Sequence, residues 1–476
     1  MEVNSREPTP SVTRTLDTLP PEIIHYIFEL LKIEDVRRLR RVSRQLGAIG
    51  ACHALPELVF YLHQGDLNVL RTIARHPVYP TYVRSLIYGT DVLENEQLHF
   101  KDFTPDCRKI LREAAREHRD HDPKKCALAR APPPTIEDIK EKYRLYKRVL
   151  QQQHEVLDTR FDFEVLKEVI PKLPNLQEII VSSDYEYRDS PVRGFKTPFD
   201  ELATEPRLDG ILGSEGVRHL EALLEGVYAA YNDGGMRGLK ALRAGLIHFS
   251  FFDGPHQILL QMPDLLAHLT SFELLILPES DIVNRGGELE YENCQALMRT
   301  GVIRNLVRRM PNLETLSIAF DDHTSGDELL FPASLRDLVP LKHTWPNLEK
   351  FRLENVETDR DELTAFLVQH KESLMNLHLH AVRLKTTSWR KLLPQLKVEL
   401  DTHLMDEVLI SGVVFGQSED PPGHGLAPGM MDDGEEEWFL GDDNDPEETL
   451  ALAVEDYFMS PTKMKCPLTR SNMNAY

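Results

Sequence analysis

The sequence predicts an α/β protein in three parts: a helical unit at the N-terminus, a long strand–helix repeat and a disordered acidic tail. An apolar stripe at helical spacing runs through residues 23–31. Leucines spaced as L-x-x-L-x-L recur from about residue 161 onward. Between Val398 and Thr462 the sequence holds 18 Asp and Glu residues and no Lys or Arg. The net charge of −22 therefore belongs mostly to the tail.

The helical unit begins with a proline pair that suits the entrance of a helix. Pro20 and Pro21 cost little there because the first N–H groups of a helix have no helical acceptor, and Glu22 complements the helix dipole. Asp35 opens a second helix, and Ser43 suits the N-cap of a third. The apolar stripe of the first helix comprises Ile23, Ile24, Ile27, Phe28, Leu30 and Leu31.

This unit is too small to be stable alone, because three short helices bury little apolar surface. The first helix carries more large apolar side chains than two short partners can cover. The surplus must face the rest of the chain or another protein. The sequence therefore favours a docking module, and the alternative is the helical start of an ordinary globular domain.

The unit resembles an F-box, whose pattern runs LPxE[LI], a helix, a D[LV] pair and V[SC][RK]. One departure is Leu46, where many family members place Trp or Phe, and this thins the last helix. The matching positions are Leu19, Pro20, Glu22, Ile23, Ile27, Leu31, Asp35, Val36, Leu39, Val42, Ser43, Arg44 and Leu46. The sequence leaves open which of these form the core of the unit and which contact a partner.

The resemblance implies a substrate receptor of a Skp–cullin–F-box ubiquitin ligase, of the fungal type. The F-box, expected at 16–62 after a disordered N-terminus at 1–15, would bind the Skp adaptor and through it a cullin. The remainder would bind an unknown target protein. The runner-up is a repeat scaffold that binds proteins without any ligase, and a third class is an enzyme with an unrecognised site.

The repeat region, predicted at 161–415, resembles divergent leucine-rich repeats. Each copy has a strand followed by a helix, and stacked copies share one core. The copies are irregular, because 35 residues separate Ile318 from Leu353 and 26 separate Leu353 from Leu379. The fold class is therefore α/β with an irregular leucine-rich-repeat-like solenoid. The alternative is a compact α/β domain in which Pro-Asn-Leu is only a helix-to-strand turn.

One face of the repeat sheet is predicted to bind the target. Leu377 and Leu379 alternate with His378 and His380, so on a strand the two histidines share the face opposite the core. No third ligand accompanies them, so a metal site is not expected. Equivalent places on the other copies are given to Ser317, Ala319, Arg352, Glu354 and Ile276.

Residues 63–160 are predicted to be a helical linker region, with a possible strand around Val83, Leu86 and Ile87. Its basic residues alternate with acidic ones and not with aromatic ones, which favours a solvated face over a nucleic-acid site. The acidic tail at 416–476 is predicted to be mostly disordered, because it is rich in Pro, Gly and carboxylates. A helix at 446–458 would either dock on the repeats or form only transiently.

The remaining patterns point away from catalysis, cofactors and membranes. The sequence contains no G-x-S-x-G, G-x-x-x-x-G-K-[ST], G-x-G-x-x-G or H-E-x-x-H motif. Its five cysteines form no CxxC pair, which argues against a zinc site and for a reducing compartment. Apolar runs are too short to span a bilayer and no secretory signal is evident. We therefore expect a non-catalytic cytoplasmic and/or nuclear protein without cofactor or metal.

Overall fold

The fold is taken from a computed structural model, which describes most of the chain. Residues 1–15, predicted to be disordered, and several stretches of the tail lie outside the described residues. All structural statements below concern residues 16, 19–31, 33–93, 98–105, 107, 109, 135–182, 216–234, 236, 238–278, 287–321, 331–402, 405–417, 435–441, 449–460 and 464–469.

Three short helices form the N-terminal unit: α1 (Pro21–Glu29), α2 (Ile33–Leu39) and α3 (Arg44–Ala51). Pro20 is the N-cap residue of α1, and the Ser43 hydroxyl accepts a hydrogen bond from the Leu46 N–H at 3.2 Å, so both predicted helix starts are confirmed. Ile24, Phe28, Val36 and Leu46 make a small apolar core of their own. The unit is therefore a separate packing cluster joined to a larger body.

The larger body is built on a nine-stranded parallel sheet whose strand order follows the chain order. Each strand pairs only with its nearest neighbours in that order. The strands are β1 (Glu57–Phe60), β2 (Ser85–Gly89), β3 (Glu178–Ser182), β4 (Ala241–His248), β5 (Ser271–Leu277), β6 (Thr315–Phe320), β7 (Lys350–Glu354), β9 (Asn376–His380) and β11 (Glu407–Ser411).

Most helices in the connections cover one face of this sheet and make the main core with it. Short 3-10 helices at Tyr79–Tyr82, Ile170–Lys172 and Phe249–Asp253 complete several connections. The helices are α4 (Gln64–Ala74), α5 (Ile136–Thr159), α6 (Phe161–Val169), α7 (Val217–Asn232), α8 (Gln257–Leu260), α9 (Pro263–His268), α10 (Gly287–Arg299), α11 (Val302–Val307), α12 (Leu335–Leu338), α13 (Arg360–His370) and α14 (Trp389–Glu399).

The predicted leucine positions lie on the covered face, in register from strand to strand. Leu316 of β6 pairs with Phe351 of β7, which pairs with Leu377 of β9. These side chains are buried, and the register places the alternate residues on the opposite face. The strand expected within residues 242–251 is β4, and the last expected copy, with Val408 and Ile410, is β11.

The sheet begins earlier than the predicted boundary at residue 161. Strand β2 lies where Val83, Leu86 and Ile87 indicated a possible strand, and β1 lies inside the segment expected to belong to the helical unit. Both strands pair in parallel with the rest of the sheet. The region 63–160 therefore contains a strand in addition to its helices. It belongs to the main body, because its short apolar run at β2 pairs with the neighbouring strands of the sheet.

Helix α5 covers the opposite face of the first three strands. Val59, Ile87 and Ile180 lie side by side in the register of β1, β2 and β3. They form a second apolar cluster with Ile139 and Tyr146 of α5, and with further residues at 98–107. The sheet is thus covered on both faces at its N-terminal end and on one face beyond it.

Parts of the tail are ordered: a strand lies at Glu435–Phe439, where disorder was predicted, and a helix lies at Thr449–Met459, where a helix at 446–458 was expected. A second sheet has the order β13 (Glu435–Phe439), β12 (Val413–Gln417), β10 (Arg383–Leu384), β8 (Glu357–Thr358), and β13 pairs antiparallel with β12. Helix α15 (Thr449–Met459) packs against β11. Trp438 and Val454 are buried, and this apolar burial outweighs the acidic composition around them.

Candidate functional site

Large apolar side chains remain exposed on the N-terminal unit. Ile23 is 48 % exposed, Tyr26 62 %, Leu30 71 % and Val42 69 %. Ile23, Tyr26 and Leu30 are spaced i, i+3 and i+7, so they share one side of α1. We call Ile23, Tyr26 and Leu30 the apolar patch. The surplus apolar surface expected from the sequence therefore faces away from the rest of the chain.

The structure separates the predicted residues of this unit into interior and surface positions. Val36 is buried, and Leu19, Ile27, Leu31, Asp35 and Leu39 are half-buried. Pro20, Glu22, Ile23 and Val42 are exposed. The Asp35 carboxylate accepts a hydrogen bond from Arg38 at 2.9 Å. Tyr26 was missed by the sequence analysis, although its i+3 spacing from Ile23 is a usable signal.

Two histidines make contacts within the N-terminal unit, and an arginine joins the unit to the main body. His25 Nδ1 and His53 Nε2 lie 2.9 Å apart, and the His53 ring stacks on Phe28. Burial, and to a smaller extent the nearby His25, lowers the pKa of His53. Arg40 donates a hydrogen bond to the Tyr79 hydroxyl at 3.1 Å. The contacts fix the unit while the apolar patch stays open.

The second candidate surface is the open face of the parallel sheet. Ser317, Arg352 and His378 lie side by side in the register of β6, β7 and β9. Ala319, Glu354 and His380 form the next such row. The predicted target-binding residues Ser317, Arg352, Glu354, His378 and His380 therefore share one face.

Ile276 is the exception, and its predicted placement is wrong. It pairs with Phe320 and is fully buried on the core face, and Leu275 occupies the open position beside Ala319. Because the residues at the end of β5 are all apolar, the sequence alone does not show which of them face the core and which face the open side. The register with β6 decides, because Leu274 must pair with Ile318 in the core.

A groove of about 580 Å³ runs along this face from β5 to β11. The small residues Ser317 and Ala319 lie between the longer side chains of the neighbouring strands, which deepens the groove over β6. Its charged lining residues are Glu273, Lys350, Arg352, Glu354 and Glu407. The groove is therefore polar and of mixed charge.

Ion pairs across the strands fix many of these charges. Arg243 pairs with Glu178 at 3.1 Å and with Glu273 at 2.9 Å, and Arg352 pairs with Glu354. His380 Nδ1 lies 3.0 Å from the Ser411 hydroxyl. A polyanion such as nucleic acid would meet the three groove carboxylates, so the face suits a protein surface of mixed charge better.

Helix α5 sets the N-terminal limit of this surface. The open-face positions are apolar and covered at Val59, Ile87 and Ile180, and polar at Arg243 and Glu273 of the next two strands. The change from apolar to polar residues in one row marks the end of the covered part. The sequence analysis missed this limit, because the apolar residues of α5 fit packing on helices equally well.

The described residues contain no group of three or more His, Cys, Asp or Glu placed to hold a metal ion. Burial raises the pKa of the Cys294 thiol to about 12, so this thiol stays protonated and unreactive. The buried Asp162 accepts hydrogen bonds from Arg218 at 2.8 Å and Tyr88 at 3.2 Å inside the core. That cluster is internal and joins β2, α6 and α7.

A family model described as F-box-like matches residues 16–55, which span α1, α2 and α3. The chain therefore contains an F-box-like domain, and the exposed apolar patch belongs to it. No curated protein matches this chain. Among the described residues, no helix is long and apolar enough to cross a membrane.

Proposed function

We propose that this chain is the substrate-recognition subunit of a Skp–cullin–F-box ubiquitin ligase. The F-box-like domain would bind the Skp adaptor, and through it a cullin, while the sheet region would bind a target protein. The chain would act by proximity, holding the target near a charged conjugating enzyme. It would need no cofactor and would work in the cytoplasm and/or nucleus, in the manner of fungal-type F-box proteins.

The observation that carries this proposal is the apolar patch on a domain that matches the F-box-like family. Ile23, Tyr26 and Leu30 expose large side chains on one side of a helix whose opposite side holds the core. Exposed apolar surface of this kind is typical of a protein–protein contact. Skp binding is the association that an F-box-like domain implies.

The architecture of the main body supports the second half of the proposal. Parallel strands in chain order, with connections that cover the same side of the sheet except at α5, favour an irregular leucine-rich-repeat-like solenoid whose other face is open beyond α5. The mixed-charge groove on that face is our candidate target site. In the rival proposal the chain is a repeat scaffold without a ligase. It would bind proteins on the same face of the sheet but would not bind the Skp adaptor.

Adaptor binding tests the first half. The full chain is co-expressed with the Skp adaptor and purified by an affinity tag on the chain. We expect the wild type to retain the adaptor and Leu30→Asp to lose it, because a charge would be buried in an apolar contact. Leu30 is exposed in the free chain, so this substitution leaves the fold intact, which circular dichroism checks.

Val69→Asp is the matched control, since Val69 is a 55 % exposed apolar residue on α4, outside the F-box-like domain. This variant should retain the adaptor. A wild-type chain that captures no adaptor would refute the ligase proposal and favour the scaffold. Adaptor binding that is equally strong in the Leu30→Asp variant would show that the apolar patch is not the contact.

The groove is tested with the combined Arg352→Glu and His378→Ala substitutions. We expect proteins that co-purify with the wild type to be lost from this variant while the Skp adaptor is retained. Quantitative mass spectrometry of both samples gives the comparison. If the same proteins co-purify in equal amounts, the target does not bind on this face.

A further inference from the structure

The open face of the sheet is small for a stable protein–protein interface. Its six strands from β4 to β11 span about 24 Å at the usual strand spacing, and five residues along a strand add about 16 Å. The resulting flat area is about 400 Å², which is smaller than the roughly 800 Å² of accessible surface that each partner buries in a complex of standard size. A target bound there must contact a further surface.

Helix α5 offers that surface, because it lies on the same face of the sheet, over β1, β2 and β3. Its apolar side is held against the strands, with Tyr146 and Leu150 buried. The sides turned away from the sheet carry cations at i, i+4, i+7 and i+8: Lys140, Arg144, Lys147 and Arg148.

Three of these cations form no close ion pair within the described part of the chain. Lys140 lowers the pKa of the Glu137 carboxyl, and Arg144 contributes to this only through space. Lys140 pairs with Glu137 at 2.6 Å. Arg144, Lys147 and Arg148 are exposed and form no ion pair within the described part of the chain. Lys147 instead lies over the ring of Tyr143. We call Arg144, Lys147 and Arg148 the α5 cations.

We propose that the α5 cations bind an acidic segment of the target, a stretch rich in Asp and Glu, while the rest of the target occupies the groove. The statement rests on the proposed function for its reference to a target. Exposed cations on the same face of the sheet as the groove attract an acidic partner and raise its association rate. A nucleic acid is less suitable, because the groove on the same face presents Glu273, Glu354 and Glu407.

The test measures binding of a fluorescein-labelled hepta-glutamate peptide to the full chain by fluorescence anisotropy at low salt. Reversal of the α5 cations, R144E/K147E/R148E, should weaken binding about tenfold, and the neutral R144Q/K147Q/R148Q variant should weaken it less. The matched control is R299E/R308E/R309E, which reverses three exposed cations on and after α10 and α11 with the same charge change. The control should change the affinity less than twofold.

Equal losses in both reversal variants would overturn the proposal, because the effect would then follow net charge alone. Absence of peptide binding to the wild type would overturn it as well, as would tighter binding of a seven-nucleotide single-stranded DNA at the same residues. Adaptor capture is measured on the same variants and does not depend on α5. A chain that binds the peptide through α5 but captures no adaptor would refute the ligase and keep this inference.

Discussion

The ammonium group of Lys397, near the end of α14, donates a hydrogen bond to the backbone carbonyl of Tyr457, which lies 60 residues further along the chain. The Thr402 hydroxyl donates a hydrogen bond to the backbone carbonyl of Phe458 at 2.8 Å. These two side chains satisfy carbonyls in the last turn of α15, where no helical N–H remains to pair with them. The helix is thus fastened to the main body at its C-terminal end.

We predict that Phe458→Ala destabilises the protein by about 3–5 kcal/mol, because Phe458 is buried and the substitution leaves a cavity. Chemical denaturation followed by circular dichroism measures the change. Leu452→Ala on the exposed side of α15 is the control and should cost less than about 1 kcal/mol. Equal stability of wild type and Phe458→Ala would mean that α15 is not docked in solution.

A buried glutamine tests the position of α5 on the sheet. The Gln153 side chain accepts a hydrogen bond from the Leu93 N–H and donates one to the Leu93 carbonyl, both at 2.8 Å. Gln153→Leu should cost about 2–4 kcal/mol, because both buried backbone groups lose their partner. Thermal unfolding gives the magnitude, and hydrogen exchange at Leu93 should accelerate.

The control for this measurement is Gln151→Leu, which changes an exposed glutamine two residues away on the same helix. We expect it to shift the unfolding free energy by less than about 0.5 kcal/mol. If Gln153→Leu proved as mild as the control, α5 would not lie where the structure places it.

A buried histidine makes stability depend on pH. Burial, and secondarily Arg218, lowers the pKa of His219 from 6.5 to about 3. Its neutral form is favoured in the folded state, so the unfolded chain binds the extra proton between pH 6.5 and 3. The stability is fully present above pH 6.5 and is lost as the pH falls, by about 1.4 kcal/mol per unit for this group.

The His219→Phe variant has no imidazole at this position, so it lacks the proton uptake that accompanies unfolding of the wild type. Urea unfolding at pH 7.5, 6.5, 5.5 and 4.5 should show the wild type losing stability faster than the variant below pH 6.5. The difference between the two should be constant above that pH. Parallel curves throughout would show that His219 titrates normally and is not buried. Other histidines with lowered pKa values, such as His370, contribute equally to both proteins.

Local chemistry and residue spacing made several parts of the structure predictable. The proline pair and the stripe from Ile23 to Leu31 indicated α1, and Ser43 indicated the start of α3. The alternation of Leu377 and Leu379 with the two histidines gave the correct face of β9. In each case one short-range pattern agreed with the tertiary packing around it.

The failures have tertiary causes. An apolar run at Leu274–Leu277 fits two alternations, and only pairing with β6 excludes the outward placement of Ile276. Composition hid the ordered strand of the tail, because carboxylates surround Trp438. The cover that α5 provides over Val59 and Ile87 joins residues far apart in sequence, and no local signal reports it.

The agreement between strand order and chain order has a consequence for how the protein is made. Each strand of the large sheet can pair with the edge completed just before it, so the sheet can grow while synthesis continues. The newest edge is always exposed until the following strand leaves the ribosome. Within the described part of the chain no further strand of that sheet follows β11, and α15 packs against β11 instead. A nascent chain halted before residue 449 would therefore carry an uncovered final strand, and we expect it to need chaperone protection that the complete chain does not.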